Sequence, residues 1–450
     1  MRLSTLLLLA STWLTAATTA PAAEPFLEKV DLFTAGDDGY AIYHIPGLVV
    51  TANGTVLASC EARRVRSDWD MIDILLRRSE DGGRTWSKAE KVVDVPGPKT
   101  KNPVALRLKN VKPTDVTYNN PVLIADRDGT VHFLFCLEYF RCFSMSSKDD
   151  GRTWSAPVEI TRTFEAFRKH YDWKVLATGP DHGIQLSNGR LIVPVWLSTA
   201  TGGNAHRPSV SSTIYSDDHG QTWHAGEIAV PLTDEIINPS ETLAIELADG
   251  RVMLNARNES KAHRRLVTIS PDGATNWSTP KFDDTLIEPI CMGSLIRLSS
   301  GKTGGKNRIL FANPANLERA DGKAEPGKGR DRKNMTVRVS YDEGETWPVA
   351  KSVEPGWAAY SDLAVTKDGT ILCFYGTGLK PDFAGEKLTV ARFNLEWLTD
   401  GNDSLTPSGE RGASAPRCPR ASRRSTSSFA SSASLRCFLP LPRTGAPSAG

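Results

Sequence analysis

Residues Ser79 to Trp86 read SEDGGRTW, and the chain spells the element again as SKDDGRTW (147–154), SDDHGQTW (216–223) and SYDEGETW (340–347), with a worn copy, SPDGATNW, at 270–277. In such a turn Asp and Ser accept backbone hydrogen bonds, Gly supplies the left-handed residue, and Trp folds back onto the neighbouring sheet. All of these duties are structural. An element that recurs along the whole chain cannot bring every copy to one active site, so it reads as the frame.

Between the copies lies a second repeat, an apolar run, a tight polar turn and another apolar run. It occurs as GLVVTANGTVLASC (47–60), PVLIADRDGTVHFLFC (121–136), GIQLSNGRLIVPVW (183–196), TLAIELADGRVMLNA (242–256), SLIRLSSGKTGGKNRILFA (294–312) and DLAVTKDGTILCFYG (362–376). Each reads as a β-hairpin, most with Asn-Gly or Asp-Gly where positive φ is needed. A third strand such as IDILLRRS (72–79) or MTVRVS (335–340) then runs into one of the S-x-D-x-G-x-T-W elements, or Asp-boxes, except after the sixth hairpin, where KLTVARFNLEWL (387–398) supplies a strand without one. A self-similar unit of roughly 55 to 70 residues built of short strands is the signature of a propeller blade. The pattern predicts an all-β, six-bladed β-propeller over residues 23–400, with the boxes on its outer edges.

The flanks read differently. Arg2, the apolar run Leu3 to Leu14 and the small residues closing on Ala20-Pro21-Ala22 form a signal-peptide pattern over 1–22, which predicts export to the periplasm or the outside. No later apolar run is long enough to span a membrane. Residues 401–450 turn to Ser, Ala, Pro and Arg without strand or helix period, the composition of a disordered tail. Residues 411–450 carry seven Arg and no acid; without them and Arg2 the net charge of +2 becomes about −6, which argues against a nucleic-acid partner. Outside the tail Cys60, Cys136, Cys142, Cys291 and Cys373 are odd in number and mostly in apolar runs, so buried thiols are expected. The eight histidines show no paired metal-ligand spacing, and no motif points to nucleotide, flavin or metal; no cofactor is expected.

A propeller takes its ligand over the central channel, beside the inner hairpins. Acids, bases and cations gather there in YHIPG (43–47), EARRVRSDWDMID (61–73), NPSETLAIELADGRVMLNARNES (238–260), DRKNMTVRVS (331–340) and AAYSDLAV (358–365). By context alone Asp68 reads first as a turn residue, Tyr360 equally as a core aromatic, and Arg257 and Arg332 also as surface charges. Glu241 opens an inner strand, where an acid is disfavoured unless it has a task.

The ordered series of these motifs, together with the boxes, resembles the exo-sialidases (neuraminidases) of the bacterial glycoside hydrolase family 33 type over nearly all of residues 30–398. The resemblance implies an exo-α-sialidase, acting on sialylated glycans or other acidic-sugar glycoconjugates. It implies Asp68 as general acid/base, Tyr360 as nucleophile and Glu241 as the carboxylate that activates it. Arg257 and Arg332 match two members of an arginine triad that clamps the substrate carboxylate, with Arg338 the alternative to Arg332. Arg63 resembles the arginine that touches a ring substituent, with one residue fewer between it and Asp68, and Asn120 or Asp181 would line the pocket. A carboxylate on the anomeric carbon repels an anionic nucleophile, which explains a tyrosine that releases its proton only as the bond forms.

One motif departs. Where the family has Tyr-Arg-Ile-Pro or Phe-Arg-Ile-Pro, this chain has Tyr43-His44-Ile45-Pro46. Histidine is shorter, not bidentate, and with an ordinary pKa of about 6.5 mostly neutral at pH 7. Three expectations stay open: a protonated His44 binds the carboxylate, Arg64 or Arg66 reaches in, or the substrate is another acid sugar or is held otherwise. The contrasting classes are a sugar-binding propeller without hydrolysis, which the presence of Asp68, Glu241 and Tyr360 disfavours, and a glycosidase for a neutral sugar, which would leave Arg257 and Arg332 without a purpose.

Overall fold

The computed structural model describes residues 23–109, 111–301, 305–378 and 386–405. The leader expected at 1–22 and everything after 405 lie outside the described residues. The chain is all-β, with five antiparallel-rich sheets and few helical turns. The first sheet orders Ile42–Val50, Val56–Arg63, Ile72–Ser79 and Glu90–Lys91, and the fourth repeats it with Thr242–Glu246, Val252–Ala256, Arg264–Ser270 and Lys281–Ile287. In the second sheet, Tyr118–Ala125, Val131–Leu137, Arg141–Ser147 and Val158–Glu159 gain a parallel inner partner, Asp181–His182. That partner comes from the third sheet, whose inner edge is therefore split into Val175–Thr178 and Ile184–Gln185, both paired to Leu191–Ser198.

The remaining strands form one seven-stranded sheet instead of two separate ones. Its hinge is the 17-residue strand Val349–Val365. The first half pairs with Lys333–Ser340 as an outer strand, and the second pairs with Ile371–Gly378 as an inner strand, from Trp357 opposite Gly378 to Val365 opposite Ile371. The chain runs straight from one repeat into the next because no turn intervenes. Leu27–Thr34 adds to the far edge by pairing with Lys387–Phe393, so the N-terminal strand is stitched to the last one, with Thr389 and Lys387 donating to Asp31 at 2.7 and 2.6 Å. The fold also extends past the expected boundary at 400: Asp403 is buried and receives two hydrogen bonds from Arg308 at 2.7 Å.

Each box begins on the serine that ends a third strand. Ser79 Oγ donates to Asp81 Oδ1 (2.8 Å) and accepts from Gly83 N (2.8 Å), while Asp81 accepts the Thr85 backbone N–H (2.9 Å) and hydroxyl (2.6 Å). The worn copy keeps the same logic with Thr275 N donating to Asp272 at 2.8 Å. The box glycines have positive φ and also press on the sheet before them. Gly151 lies against Leu57, Gly220 against His132, Gly273 against Ile192 and Gly344 against Met253; Gly83, in the first sheet, lies against Leu372 near the end of the fold. A Cβ at Gly220 would stand 2.7 Å from His132 Nδ1, so glycine is required there by space as well as by φ.

Apolar side chains between neighbouring sheets form the core, as where Leu57, Ile74 and Leu76 meet Leu123, Phe133 and Phe135. The inner strands are also tied by Asp362, which accepts from Leu48 N (2.6 Å) and Ser294 Oγ (3.1 Å) and pairs with His182 Nδ1 (2.7 Å). Cys60, Cys136, Cys142, Cys291 and Cys373 are all free and buried.

Candidate active site

A cavity of about 220 Å3 opens where inner strands meet the loops between sheets, and His44, Arg63, Asp68, Asn120, Glu241, Arg257, Arg332 and Tyr360 all line it. The backbone accounts for the convergence. Glu241 and Arg257 flank one hairpin: Thr242 stands opposite Ala256, and Arg257 N donates to Glu241 O at 2.9 Å, so a separation of 16 residues in sequence becomes adjacency. Arg332 leads into Lys333–Ser340 and is held beside the shared long strand by Ala358 N donating to its carbonyl (3.0 Å). Tyr360 lies on that strand where the register shifts between Ala359 and Ser361, with φ of +50°. A bulge of this kind re-aims a side chain out of the ordinary alternation.

The Tyr360 hydroxyl donates to Glu241 Oε1 at 2.7 Å and accepts from Arg257 Nη1 at 2.9 Å, and Arg257 closes the triangle by pairing with Glu241 Oε2. The Arg332 guanidinium is 5.3 Å from the centre of the Tyr360 ring and donates to Ile290 O at 2.9 Å. Burial, and then the Glu241 carboxylate, push the Tyr360 pKa up against the pull of Arg257 and Arg332, so the resting phenol is protonated.

Elsewhere on the wall, Arg63 Nε and Nη2 donate to the buried Glu61 Oε2 at 2.9 and 2.6 Å, and Nη1 donates to Asp68 Oδ1 at 2.7 Å. Glu61 Oε1 also accepts the Asn120 N–H at 2.7 Å, which ties that residue to the same network. Burial acts to raise the Asp68 pKa, but the charge and hydrogen bond of Arg63 together with the nearby His206 and His44 hold the carboxyl below the usual range. The Asp68 side chain is nonetheless 48% exposed, so it has room to turn.

His44 is buried, with its ring edge-on to Tyr360 at a centroid distance of 4.3 Å. Burial first, then the charges of Arg63 and Arg332, push its pKa well below the ordinary histidine value, which leaves it neutral. Arg64 stacks over Tyr40 at 5.1 Å, and neither it nor Arg66 lines the cavity. Arg338 sits in mid-strand opposite Phe311 and Ala350 and does not line it either.

Asp181 corrects one expectation. It does not line the cavity but is buried beside His182 (3.3 Å), in the cluster completed by Asp362. Burial and the neighbouring Asp362 charge raise its pKa well above the carboxylate range. Its backbone, at the crossing from the third sheet to the second, turns the side chain inward, and hydropathy pattern gives no sign of that crossing.

The sequence reading missed an aromatic wall. His206 lies 5.3 Å from Trp69, 5.0 Å from Tyr139 and 5.2 Å from Trp196, and three of these four residues line the cavity. Arg207, also on the lining, is paired with Glu259. Trp196 ends the third hairpin's apolar run, and a bulky aromatic at the pocket end of that run was the one available signal.

An all-β fold with repeated Asp-box turns, and a pocket of paired acids and arginines around a tyrosine, defines a class. Residues 54–373 match the BNR repeat-like domain, and the chain belongs to that family. It is 31% identical to a sialidase of Micromonospora viridifaciens over 406 residues, covering 84% of this chain and 55% of that protein. It is 30% identical to a sialidase of Bacteroides fragilis over 341 residues, covering 70% of this chain and 55% of that protein. The chain thus spans about half the length of these curated relatives. Among solved structures, a Hadza microbial sialidase superposes with a TM-score of 0.65 at 25% identity, over 82% of this chain and 69% of that one.

Proposed function

We propose that this protein is an exo-α-sialidase that hydrolyses terminal α-linked sialic acids by a retaining mechanism. The observation that carries the reading is the Tyr360 hydroxyl, donating to Glu241 at 2.7 Å while Arg257 and Arg332 stand against the same tyrosine. The substrate carboxylate sits between the two guanidiniums, whose charge is independent of working pH. The anomeric carbon then faces Tyr360. Glu241 takes the phenolic proton as the oxygen attacks, so no free phenolate need form beside the substrate's own negative charge.

Asp68 protonates the departing glycosidic oxygen. It is ion-paired with Arg63 at rest, so it must first leave that pair and take up a proton. In the second half, Asp68 accepts a proton from water, the water oxygen attacks the glycosyl–tyrosine at the anomeric carbon, and Glu241 returns its proton to Tyr360. Two inversions give net retention. Asn120 and the Arg63–Glu61 pair fix the acid's side of the pocket, and the aromatic wall offers an apolar surface to the sugar.

His44 serves as a neutral partner, packed against the nucleophile in the position of the missing arginine. The clamp therefore rests on Arg257 and Arg332. A six-bladed propeller is the architecture we assign, with the shared strand Val349–Val365 belonging to two blades. What supports it is the chain of box contacts, each glycine on the preceding repeat and the first one on Leu372 of the last. The leader-like residues 1–22 fit export to the periplasm or beyond, where glycoconjugates are met. No helix among the described residues is long and apolar enough to cross a membrane.

The test is release of free sialic acid from an α-sialoside by the chain, beside a Tyr360→Phe control. Release that disappears with the hydroxyl supports the reading. A folded wild-type chain that releases none would overturn it.

A further inference from the structure

Outside the pocket, the turn of the second hairpin and the third box bring two aspartates and two histidines together. Asp126 is fully buried. Its Oδ1 accepts from Asp128 N (3.0 Å) and Gln185 Nε2 (2.8 Å). Those two bonds orient the carboxylate so that Oδ2 faces two rings, at 2.8 Å from His219 Nδ1 and 3.5 Å from His132 Nε2. Asp128 Oδ2 lies 3.8 Å from the same His219 nitrogen, and the donor atoms of Asp126, Asp128 and His219 are all within 4.8 Å of one another.

The spacing is that of a coordination shell. A tetrahedral Zn2+ with bonds of about 2.0–2.1 Å holds its ligand atoms about 3.3 Å apart, and the 2.8 and 3.8 Å from His219 Nδ1 to Asp126 Oδ2 and Asp128 Oδ2 bracket that value, with His132 standing beside the trio. The hydrogen bonds on Asp126 Oδ1 match the outer contacts that fix a ligating carboxylate. One imidazole with two carboxylates, and water completing the shell, suits a first-row transition cation, whereas Ca2+ and Mg2+ call for about six or more oxygens. The turn itself holds the rings in place: His219 has φ of +55°, and the next residue, Gly220, is seated on the His132 ring. His219 is 52% exposed, which gives an ion a way in from solvent.

We infer that Asp126, Asp128 and His219 form a binding site for a divalent transition-metal cation such as Zn2+, which cross-links the second and third sheets. The ion would be structural, since none of these three residues lines the pocket. The site does not depend on the proposed activity.

The experiment is calorimetric titration of the chelator-stripped full chain with ZnCl2 and, separately, CaCl2, with melting temperature recorded in parallel. Expected are one Zn2+ per chain at micromolar Kd, a melting rise reversed by EDTA, and no comparable Ca2+ binding. His219→Ala and Asp128→Asn, both at exposed side chains, should each weaken Zn2+ binding by about tenfold or more and lessen the EDTA-reversible melting rise, each variant being compared with its own baseline in EDTA. Absence of stoichiometric Zn2+ binding, binding undiminished by both variants, or tighter Ca2+ binding would each overturn the assignment.

Discussion

Replacing Glu241 by Gln keeps the shape of the pocket while removing one charge and one proton acceptor. In the resting site Glu241 Oε1 receives the Tyr360 hydroxyl at 2.7 Å and the other oxygen is paired with Arg257. Glutamine can still accept the phenolic hydrogen bond, so Tyr360 stays where it is, but it cannot take the proton away. A positioned general base is worth about 10²- to 10⁴-fold, or roughly 2.7–5.5 kcal/mol of barrier. That loss should fall on kcat. Binding should hold or tighten, because Arg257 no longer divides its charge between Glu241 and the substrate carboxylate. Some stability is lost as well, since Arg257, only 15% exposed, is left without its carboxylate. Full isolation of a buried charge costs about 3–5 kcal/mol, and an open pocket should keep the loss below that. The assay is steady-state release of sialic acid, with kcat and KM resolved and a melting curve run on the same sample. A kcat within tenfold of wild type, or a loss expressed wholly in KM, would refute the assignment of Glu241 as the base.

Three other outcomes follow from the same geometry. Asp68→Ala should cost a natural sialoside about 10²-fold or more in kcat/KM but an aryl sialoside much less, because a good leaving group needs little protonation; equal losses on both would remove Asp68 from the acid role. Arg332→Ala should weaken a sialic-acid-like inhibitor by about 10- to 100-fold, the worth of a charge-assisted hydrogen bond, read by inhibition constants. His44 has its folded pKa depressed, first by burial and then by Arg63 and Arg332. Below its unfolded pKa of about 6.5 the unfolded chain takes up a proton that the fold refuses, so this residue contributes up to about 1.4 kcal/mol of stability at pH 7.5 that is gone at pH 5.5. His44→Gln should narrow the difference in urea midpoint between those two pH values, and an unchanged difference would mean that His44 takes up its proton in the fold over the same pH range as in the unfolded chain.

The boxes made the repeat legible because each is a local device, closed by hydrogen bonds that span at most a few residues. The hairpins were legible for the same reason. What the pattern could not show was the fate of Val349–Val365, since an outer strand and the next inner strand carry similar runs and only the absence of a turn between them joins two repeats into one sheet. The pocket was legible through resemblance more than through spacing: no periodicity links Glu241 to Tyr360, which are 119 residues apart, although a hydrogen bond joins their side chains. Where no family motif guided the reading, residues that meet across sheets were missed or misplaced. Asp181 was offered by the resemblance as an alternative beside Asn120, without a motif of its own, whereas the chain's crossing to the second sheet places it beside His182 and Asp362. His206 gains its setting from Trp69, Tyr139 and Trp196, contributed by three separate parts of the chain. Asp126 and His219 lie 93 residues apart, so a search for short metal-ligand spacings passes over them. The common cause is that sequence spacing reports neighbours within a repeat, whereas chemistry in this fold is assembled between repeats, at the seams where one sheet's box or loop leans on the sheet before it.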